Sequence, residues 1–126
     1  MTSVVYKLDN VVAIVDRNRL QAMGPVAERF DTNPIAEKWK GFGWNVLTID
    51  GHDIQQIDRA FDQAEATKGV PTVIIAETVK GKGVSFAENV VGFHNGALTP
   101  EQYQQACKEL DSVLAEIAEK EAGANV

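Results

Sequence analysis

Two short loops of this 126-residue chain carry side chains that could bind an anion together with a divalent cation. The first, DRNRL at residues 16–20, follows the apolar run 11–15, and the second, KGKG at residues 80–83, follows the apolar run 72–76. Asn18 offers an amide oxygen, a hard ligand suited to Mg²⁺. Glycine residues in the second loop would let the backbone approach a ligand closely. The pattern indicates a phosphate with its metal, although residue types and spacing alone are equally consistent with ordinary solvated loops.

Four of the 12 basic residues of the chain fall in these two loops: Arg17, Arg19, Lys80 and Lys82. Arg17 and Arg19 could serve either in local salt bridges or in contacts with a cofactor or partner. The charges are notable because the chain is acidic overall, with 18 Asp and Glu residues and a net charge of −6.

The elements that must position these loops form a regular alternation. Apolar runs at residues 11–15, 44–49 and 72–76 predict three strands, separated by two helical patterns. Short connections between them predict parallel strands with right-handed crossovers, and therefore an α/β fold. Ligands of open parallel sheets bind beyond the carboxyl ends of the strands, which is where both basic loops fall. The β-branched run 11–15 predicts a strand that is buried on both faces.

Three helix starts are recognisable, and residues 2–10 are typical of a helix end leading into the first strand. Asn33 before Pro34 indicates a capped start, Asp53 with Gln56 resembles a capping box, and the sequence TPEQ at residues 99–102 is a further strong start. The apolar side chains expected to be buried on these helices and beside them are Ile35, Trp39, Phe42, Trp44, Ile54, Ile57, Phe61, Ala64, Tyr103, Cys107, Leu110, Leu114 and Ile117.

Composition excludes several classes of function. A net charge of −6 argues against binding to nucleic acid, which requires a basic face, and against an anionic membrane surface as partner. No apolar run approaches the roughly 18 residues of a membrane span. The single cysteine, Cys107, cannot form an internal disulfide, so a reducing cytoplasmic location is expected and the thiol is expected to be inert packing.

Three strands are fewer than doubly wound sheets usually have. A three-stranded parallel sheet would leave an apolar edge open to pairing. The expectation is that residues 1–126 form the second half of a domain, and that the chain associates with itself or with a chain that carries the upstream strands.

From Tyr6 to about Leu110 the sequence resembles the transketolases. The matching stretches, in the family's order and roughly its spacing, are YKLDNVVAIVDRNRLQ, FGWNVLTIDGHD, PTVIIAETVKGKGVSF and GFHNG. The resemblance lies in the N-terminal thiamine-diphosphate-binding domain, after its Gly-Asp-Gly metal motif. It implies a parallel-sheet fold that binds thiamine diphosphate and Mg²⁺, and an enzyme that moves a two-carbon ketol unit between sugar phosphates.

The resemblance also implies roles for four residues. Asn18 matches an asparagine that ligates the metal through its side chain, and Leu20 matches a residue that adds a backbone carbonyl. Lys80 matches a lysine that lies near the cofactor in some transketolases. His94 matches a histidine between the cofactor diphosphate and the substrate, where it would be catalytic. His52, in GHD, is expected to be a structural turn residue.

The metal-binding aspartate of the Gly-Asp-Gly motif, the family's upstream histidines and the domain that holds the aminopyrimidine have no counterpart in these 126 residues. The resemblance therefore implies a fragment or split subunit that needs a complementary transketolase chain or domain. Two alternatives remain open at this point: a non-catalytic remnant or assembly module, and another thiamine-diphosphate enzyme such as a deoxyxylulose-phosphate synthase.

Overall fold

The computed structural model describes residues 1–124, which form two compact units. The first unit contains residues 1–19 and 24–78, and the second contains residues 20–23 and the chain from residue 79 onwards. The helices are α1 (Thr2–Val5), α2 (Val26–Arg29), α3 (Ile35–Gly41), α4 (Ile54–Ala66) and α5 (Pro100–Ala124), and a 3₁₀ helix spans Val91–His94. The strands are β1 (Val12–Arg17), β2 (Leu20–Gln21), β3 (Gly24–Pro25), β4 (Asn45–Asp50) and β5 (Thr72–Glu77).

The first unit contains a three-stranded parallel sheet of order β1-β5-β4, which confirms the predicted α/β fold. Arg17 of β1 and Asp50 of β4 both pair in register with Glu77 of β5, so the three carboxyl ends lie side by side. The central strand is the most buried, and its residues 72–75 are almost inaccessible to solvent.

The prediction that β1 is buried on both faces is wrong. Its residues alternate between exposed and half-buried, and the side chain of Ile14 is 61% exposed. Because β1 pairs with β5 alone in the described part of the chain, it is an edge strand with one covered face. The β-branched composition predicted the strand correctly but could not indicate that one of its faces is open.

Two of the three predicted helix starts are confirmed. Asp53 Oδ1 accepts hydrogen bonds from the backbone N–H groups of Gln55 and Gln56 at 2.9 and 3.2 Å. A side-chain hydrogen bond from Gln56 is the largest reason why the pKa of Asp53 lies below its ordinary value. At the start of α5, Thr99 Oγ1 accepts from Gln102 N at 3.2 Å while Gln102 Oε1 accepts from Thr99 N at 3.0 Å. This reciprocal pair is a complete capping box.

The predicted cap at Asn33 is wrong. Helix α3 begins at Ile35 after Pro34, with no side-chain hydrogen bond to its first turn. Asn33 Oδ1 instead accepts a hydrogen bond from the Arg17 guanidinium. The competing partner lies 16 residues away in the sequence, so local sequence could not reveal it.

Several apolar side chains that were expected to be buried are exposed. On α5, Tyr103 and Leu114 are 62% and 64% exposed, and Leu110 and Ile117 are about half exposed. Ile54, Phe42 and Phe61 are exposed as well. Helical spacing grouped these side chains on one face of each helix, but the buried residues are Ala60 and Ala64 on α4 and Ala106 on α5, and the described residues leave the larger apolar side chains exposed.

Trp39 and Trp44 are half-buried and pack edge to face, with ring centroids 4.8 Å apart. Cys107 is also half-buried. Ala60 and Ala64 of α4 are buried, so the covered surface of this helix is formed by its smallest side chains. No helix within residues 1–124 combines the length and apolar character that crossing a lipid bilayer requires.

Candidate functional site

Two arginines at the end of the first strand, Arg17 within it and Arg19 just beyond it, converge on one carboxylate. Arg17 Nη1 donates to Glu77 Oε1, and Arg19 Nη2 donates to Glu77 Oε2 at 2.9 Å. Arg17 and Glu77 are register partners at the ends of adjacent strands. Of the two roles considered for the arginines, the structure therefore places them in local salt bridges.

Burial and neighbouring positive charges shift the pKa of Glu77 in opposite directions. Partial burial alone would raise the pKa of this carboxyl, but the hydrogen bonds and positive charges of Arg17 and Arg19 outweigh it and hold the pKa below its ordinary value. Glu77 is therefore an anion in the neutral range, and both of its oxygens are engaged.

A second set of contacts joins the same strand ends. Thr78 Oγ1 donates to Asp16 Oδ1, and Thr78 N donates to Arg17 O at 3.4 Å. On the other side of β5, Gly51 N donates to Glu77 O at 2.8 Å. A Cβ atom on Gly51 would lie 2.5 Å from Thr78 Cγ2, so any other residue here would force the Thr78 side chain to shift.

Asn18, the predicted metal ligand, lies directly beyond β1 between these two arginines and is half-buried. The following residue, Arg19, has a positive φ of 63°, a left-handed conformation that residues other than glycine adopt rarely. Its carbonyl accepts from Val26 N at 2.9 Å. The turn that holds Asn18 is thus fixed by backbone and side-chain contacts together.

A cleft of about 450 Å³ opens next to this turn within the first unit. Its walls combine apolar residues of β1, β3, α2 and α3 with polar side chains that include charges of both signs, namely Asp16, Arg17, Arg19, Asp31, Thr32 and Asn33. The polar side of this cleft is the carboxyl edge of the sheet, the position at which open parallel sheets bind ligands.

The KGKG loop lies in the second unit and forms a tight turn. Lys80 O accepts from Asn89 N at 2.9 Å, and Gly83 N donates to Glu88 Oε1 at 3.0 Å. Gly81 has a φ of +73°, and a Cβ atom there would lie 2.6 Å from Ala87 O. Glycine at this position lets the loop approach its own backbone, whereas the sequence had suggested an approach to a ligand.

His94 and Leu20 also lie in the second unit. His94 is exposed at the end of the 3₁₀ helix, and the strand that contains Leu20 packs against this helix. Phe93 contacts Phe86, with ring centroids 5.6 Å apart, which anchors the turn that precedes His94. The structure thus brings the Leu20 strand and the His94 turn together within this unit, while Asn18 is in the first unit.

Sequence reasoning missed a polar network that ties the loop after KGKG to α5. Ser85 N and Ser85 Oγ donate to the two carboxylate oxygens of Glu109 at 2.7 and 2.6 Å. Gln105 Nε2 donates to Glu109 Oε1 at 2.8 Å. The Ser85 side chain, then its backbone and Gln105, lower the pKa of Glu109. The only sign of this network in the sequence is that Gln105 and Glu109 are four residues apart, about one helical turn.

The described residues contain no group of three His, Cys, Asp or Glu side chains that could hold a metal ion. The predicted ligands are of another kind, namely the amide oxygen of Asn18 and the carbonyl of Leu20. Both are hard oxygen donors of the type that Mg²⁺ accepts, and Mg²⁺ commonly retains waters and phosphate oxygens beside few protein ligands. The donor chemistry therefore fits a metal held jointly with a diphosphate.

Comparison with known proteins identifies the family. Residues 2–113 match the family described as "Transketolase, thiamine diphosphate binding domain". The chain belongs to this transketolase family. The resemblance on which the sequence interpretation depended is confirmed.

Two relatives are named as subunits. The chain is 39% identical over 118 residues to an apulose-4-phosphate transketolase subunit of Phocaeicola vulgatus, and the match covers 94% of this chain and 42% of the relative. It is 40% identical over 105 residues to "6-deoxy-6-sulfo-D-fructose transketolase subunit SqwG" of a Clostridium species, covering 83% and 38%. The chain thus spans less than half the length of these relatives.

Solved transketolase structures share the fold. The transketolase of Campylobacter jejuni superposes with a TM-score of 0.79 at 31% identity, covering 86% of this chain and 17% of that one. A Pichia stipitis transketolase in complex with fructose-6-phosphate gives a TM-score of 0.74 at 26% identity, covering 79% and 15%.

Proposed function

We propose that this chain supplies part of the diphosphate- and metal-binding site of a thiamine-diphosphate- and Mg²⁺-dependent transketolase. The complete assembly would transfer a two-carbon ketol unit between sugar phosphates. The observation that carries the proposal is the match of residues 2–113 to the thiamine diphosphate binding domain, with DRNRL, KGKG and GFHNG all inside it.

Asn18 and Leu20 would hold Mg²⁺ through an amide oxygen and a backbone carbonyl, and Lys80 would lie near the cofactor. Asn18 stands at the carboxyl edge of the parallel sheet, on a turn held by several hydrogen bonds, which favours a fixed ligand. When bound, the cofactor supplies the carbanion chemistry of ketol transfer. His94 would hydrogen-bond the diphosphate and the substrate, and it would assist proton movement as a general acid or base.

A complementary transketolase chain is proposed as the partner. Two relatives carry the word subunit in their names, and β1 of this chain is an edge strand with an exposed apolar face. Exposed strand edges with apolar faces are sites of pairing with further strands. The partner would contribute the remaining metal carboxylate and the domain that holds the aminopyrimidine.

The decisive experiment is the substitution Asn18→Ala in the complete assembly. Removal of one metal ligand should weaken the joint binding of Mg²⁺ and thiamine diphosphate by about 10-fold or more, the scale on which disturbed metal sites lose affinity. Binding is measured by titrating the assembly with thiamine diphosphate at fixed Mg²⁺. Asn10→Ala is the matched control, because Asn10 is an exposed asparagine just before β1.

Equal titration curves for Asn18→Ala and Asn10→Ala would exclude the metal role of Asn18. An assembly containing the unaltered chain that binds no thiamine diphosphate would instead support a non-catalytic module. These two outcomes are distinguishable, because only the second removes binding from the unaltered protein.

A further inference from the structure

The residues on either side of Asn18 are fixed by a single group on the neighbouring strand. Arg17 precedes Asn18 and Arg19 follows it, and each donates to a different oxygen of Glu77. Glu77 thus holds both flanks of the turn from the end of β5. We propose that Glu77 is a positioning residue, which sets where the Asn18 amide oxygen lies when it binds a divalent cation.

The position of Glu77 is itself determined by the sheet. Its backbone pairs in register with Arg17 on one side and with Asp50 on the other. Its carbonyl accepts from Gly51 N at 2.8 Å. Because these contacts belong to the central strand, the carboxylate is presented from the end of the most buried strand of the sheet.

The turn requires such an external hold because its backbone is not relaxed. Arg19 has a φ of +63°, and residues other than glycine persist there only where the surroundings enforce the conformation. Val26 N holds the Arg19 carbonyl at 2.9 Å, while Glu77 holds its side chain. The Arg19 side chain is 69% exposed, so its ordering comes from this contact and not from packing.

A salt bridge that served stability alone would not need both residues that flank one asparagine. Arg17 already has two partners, Glu77 Oε1 and Asn33 Oδ1. The contact of Arg19 with the second oxygen adds little stability at an exposed position. What it adds is a constraint on the chain direction through Asn18. The inference rests on the proposed metal role of Asn18.

Cation selectivity provides the test, because Mg²⁺ demands near-ideal octahedral geometry whereas Ca²⁺ tolerates irregular geometry. Thiamine diphosphate is titrated into the complete assembly with Mg²⁺ and, separately, with Ca²⁺. Glu77→Gln should weaken binding about 10-fold or more with Mg²⁺, as loss of an outer-shell partner does, and by a clearly smaller factor with Ca²⁺. Glu37→Gln is the matched control, since it also removes the carboxylate of a salt bridge in the first unit, at 2.8 Å from Lys40 Nζ.

Arg19→Met provides a second variant in case Glu77→Gln does not assemble. It removes only the contact between Arg19 and Glu77 Oε2, and because the Arg19 side chain is exposed, the fold should persist. It should change the Mg²⁺/Ca²⁺ ratio, meaning the thiamine diphosphate affinity measured with Mg²⁺ divided by that measured with Ca²⁺, in the same direction as Glu77→Gln. Equal losses with both cations, or no loss in either variant, would overturn the positioning role.

The double variant Asn18→Ala/Glu77→Gln separates this inference from the proposed function. If Glu77 acts through Asn18, adding Glu77→Gln to Asn18→Ala should not change the Mg²⁺/Ca²⁺ ratio further. If Asn18→Ala has no effect on Mg²⁺-dependent binding, the proposed function fails. If Asn18→Ala weakens binding but Glu77→Gln leaves the ratio unchanged, only the positioning role fails.

Discussion

Alanine at two glycines of the KGKG loop provides a matched pair of perturbations with different expected costs. Gly81 and Gly83 both have positive φ, at 73° and 91°. An L-residue in this region costs about 1–2 kcal/mol, so both substitutions should destabilise the loop. A Cβ atom at position 83 would meet only Leu110 Cδ2 at 3.7 Å, an ordinary contact. Gly83→Ala should therefore cost the conformational strain alone.

Gly81→Ala should cost more, because its Cβ atom would lie 2.6 Å from Ala87 O and 2.8 Å from Ala87 C. Backbone atoms cannot turn away as a side chain can, and such overpacking typically adds about 1–3 kcal/mol. The expected difference between the two variants corresponds to a factor of about 5 to 140 in the equilibrium for opening the loop.

Amide hydrogen exchange measures this difference locally. Val84 N, Ala87 N and Asn89 N donate to carbonyls within the loop at 3.2, 2.9 and 2.9 Å. Their exchange should be faster in Gly81→Ala than in Gly83→Ala by the factor given above. Equal exchange in the two variants would refute the argument that Gly81 is needed for the approach to Ala87.

Three further predictions concern activity, pH and association. In the complete assembly, His94→Ala should lower turnover by roughly 10²-fold or more with the fold intact, whereas His52→Ala should mainly lower stability. If both variants show equal, small losses of activity, His94 is an ordinary loop residue. Hydrogen bonds from Ser85 lower the pKa of Glu109, so this contact should stabilise the protein above pH 4.5, the ordinary pKa of the carboxyl. The stabilisation should disappear as the pH falls through the lowered pKa, and Glu109→Gln should reduce this pH dependence in thermal unfolding. The isolated chain should associate by pairing at the exposed edge of β1, and because lysine on an edge strand opposes such pairing, sedimentation should show Ile14→Lys more monomeric than the unaltered chain. A compact monomer of the unaltered chain would contradict this.

The sequence predicted those features that depend on local patterns. The three strands of the sheet, their parallel direction and the helix starts at Asp53 and Thr99 all follow from apolar runs and capping residues within a few positions. The family resemblance was carried by stretches such as DRNRLQ and GFHNG, and it was confirmed.

Features that depend on distant partners were missed or wrong. Glu77 was not singled out, because its importance comes from residues 58 and 60 positions away that only the sheet register brings to it. Asn33 was assigned to a helix cap because its partner Arg17 is equally invisible locally. The apolar stripe of α5 was predicted to be buried and is largely exposed, whereas Ala106 is buried, because helical spacing cannot tell which face of a helix is covered.

The order β1-β5-β4 has a consequence for how the chain can fold as it is synthesised. Within the described residues, β1 and β4 each pair with β5 and not with each other, and β5 is the last of the three to leave the ribosome. A nascent chain that ends before Thr72 therefore carries two apolar strands without the strand that both require. Pairing between distant segments must also overcome the entropy of closing a long loop, which slows it. A factor that prevents premature aggregation of the nascent chain must therefore cover β1 until about 60 further residues have been translated.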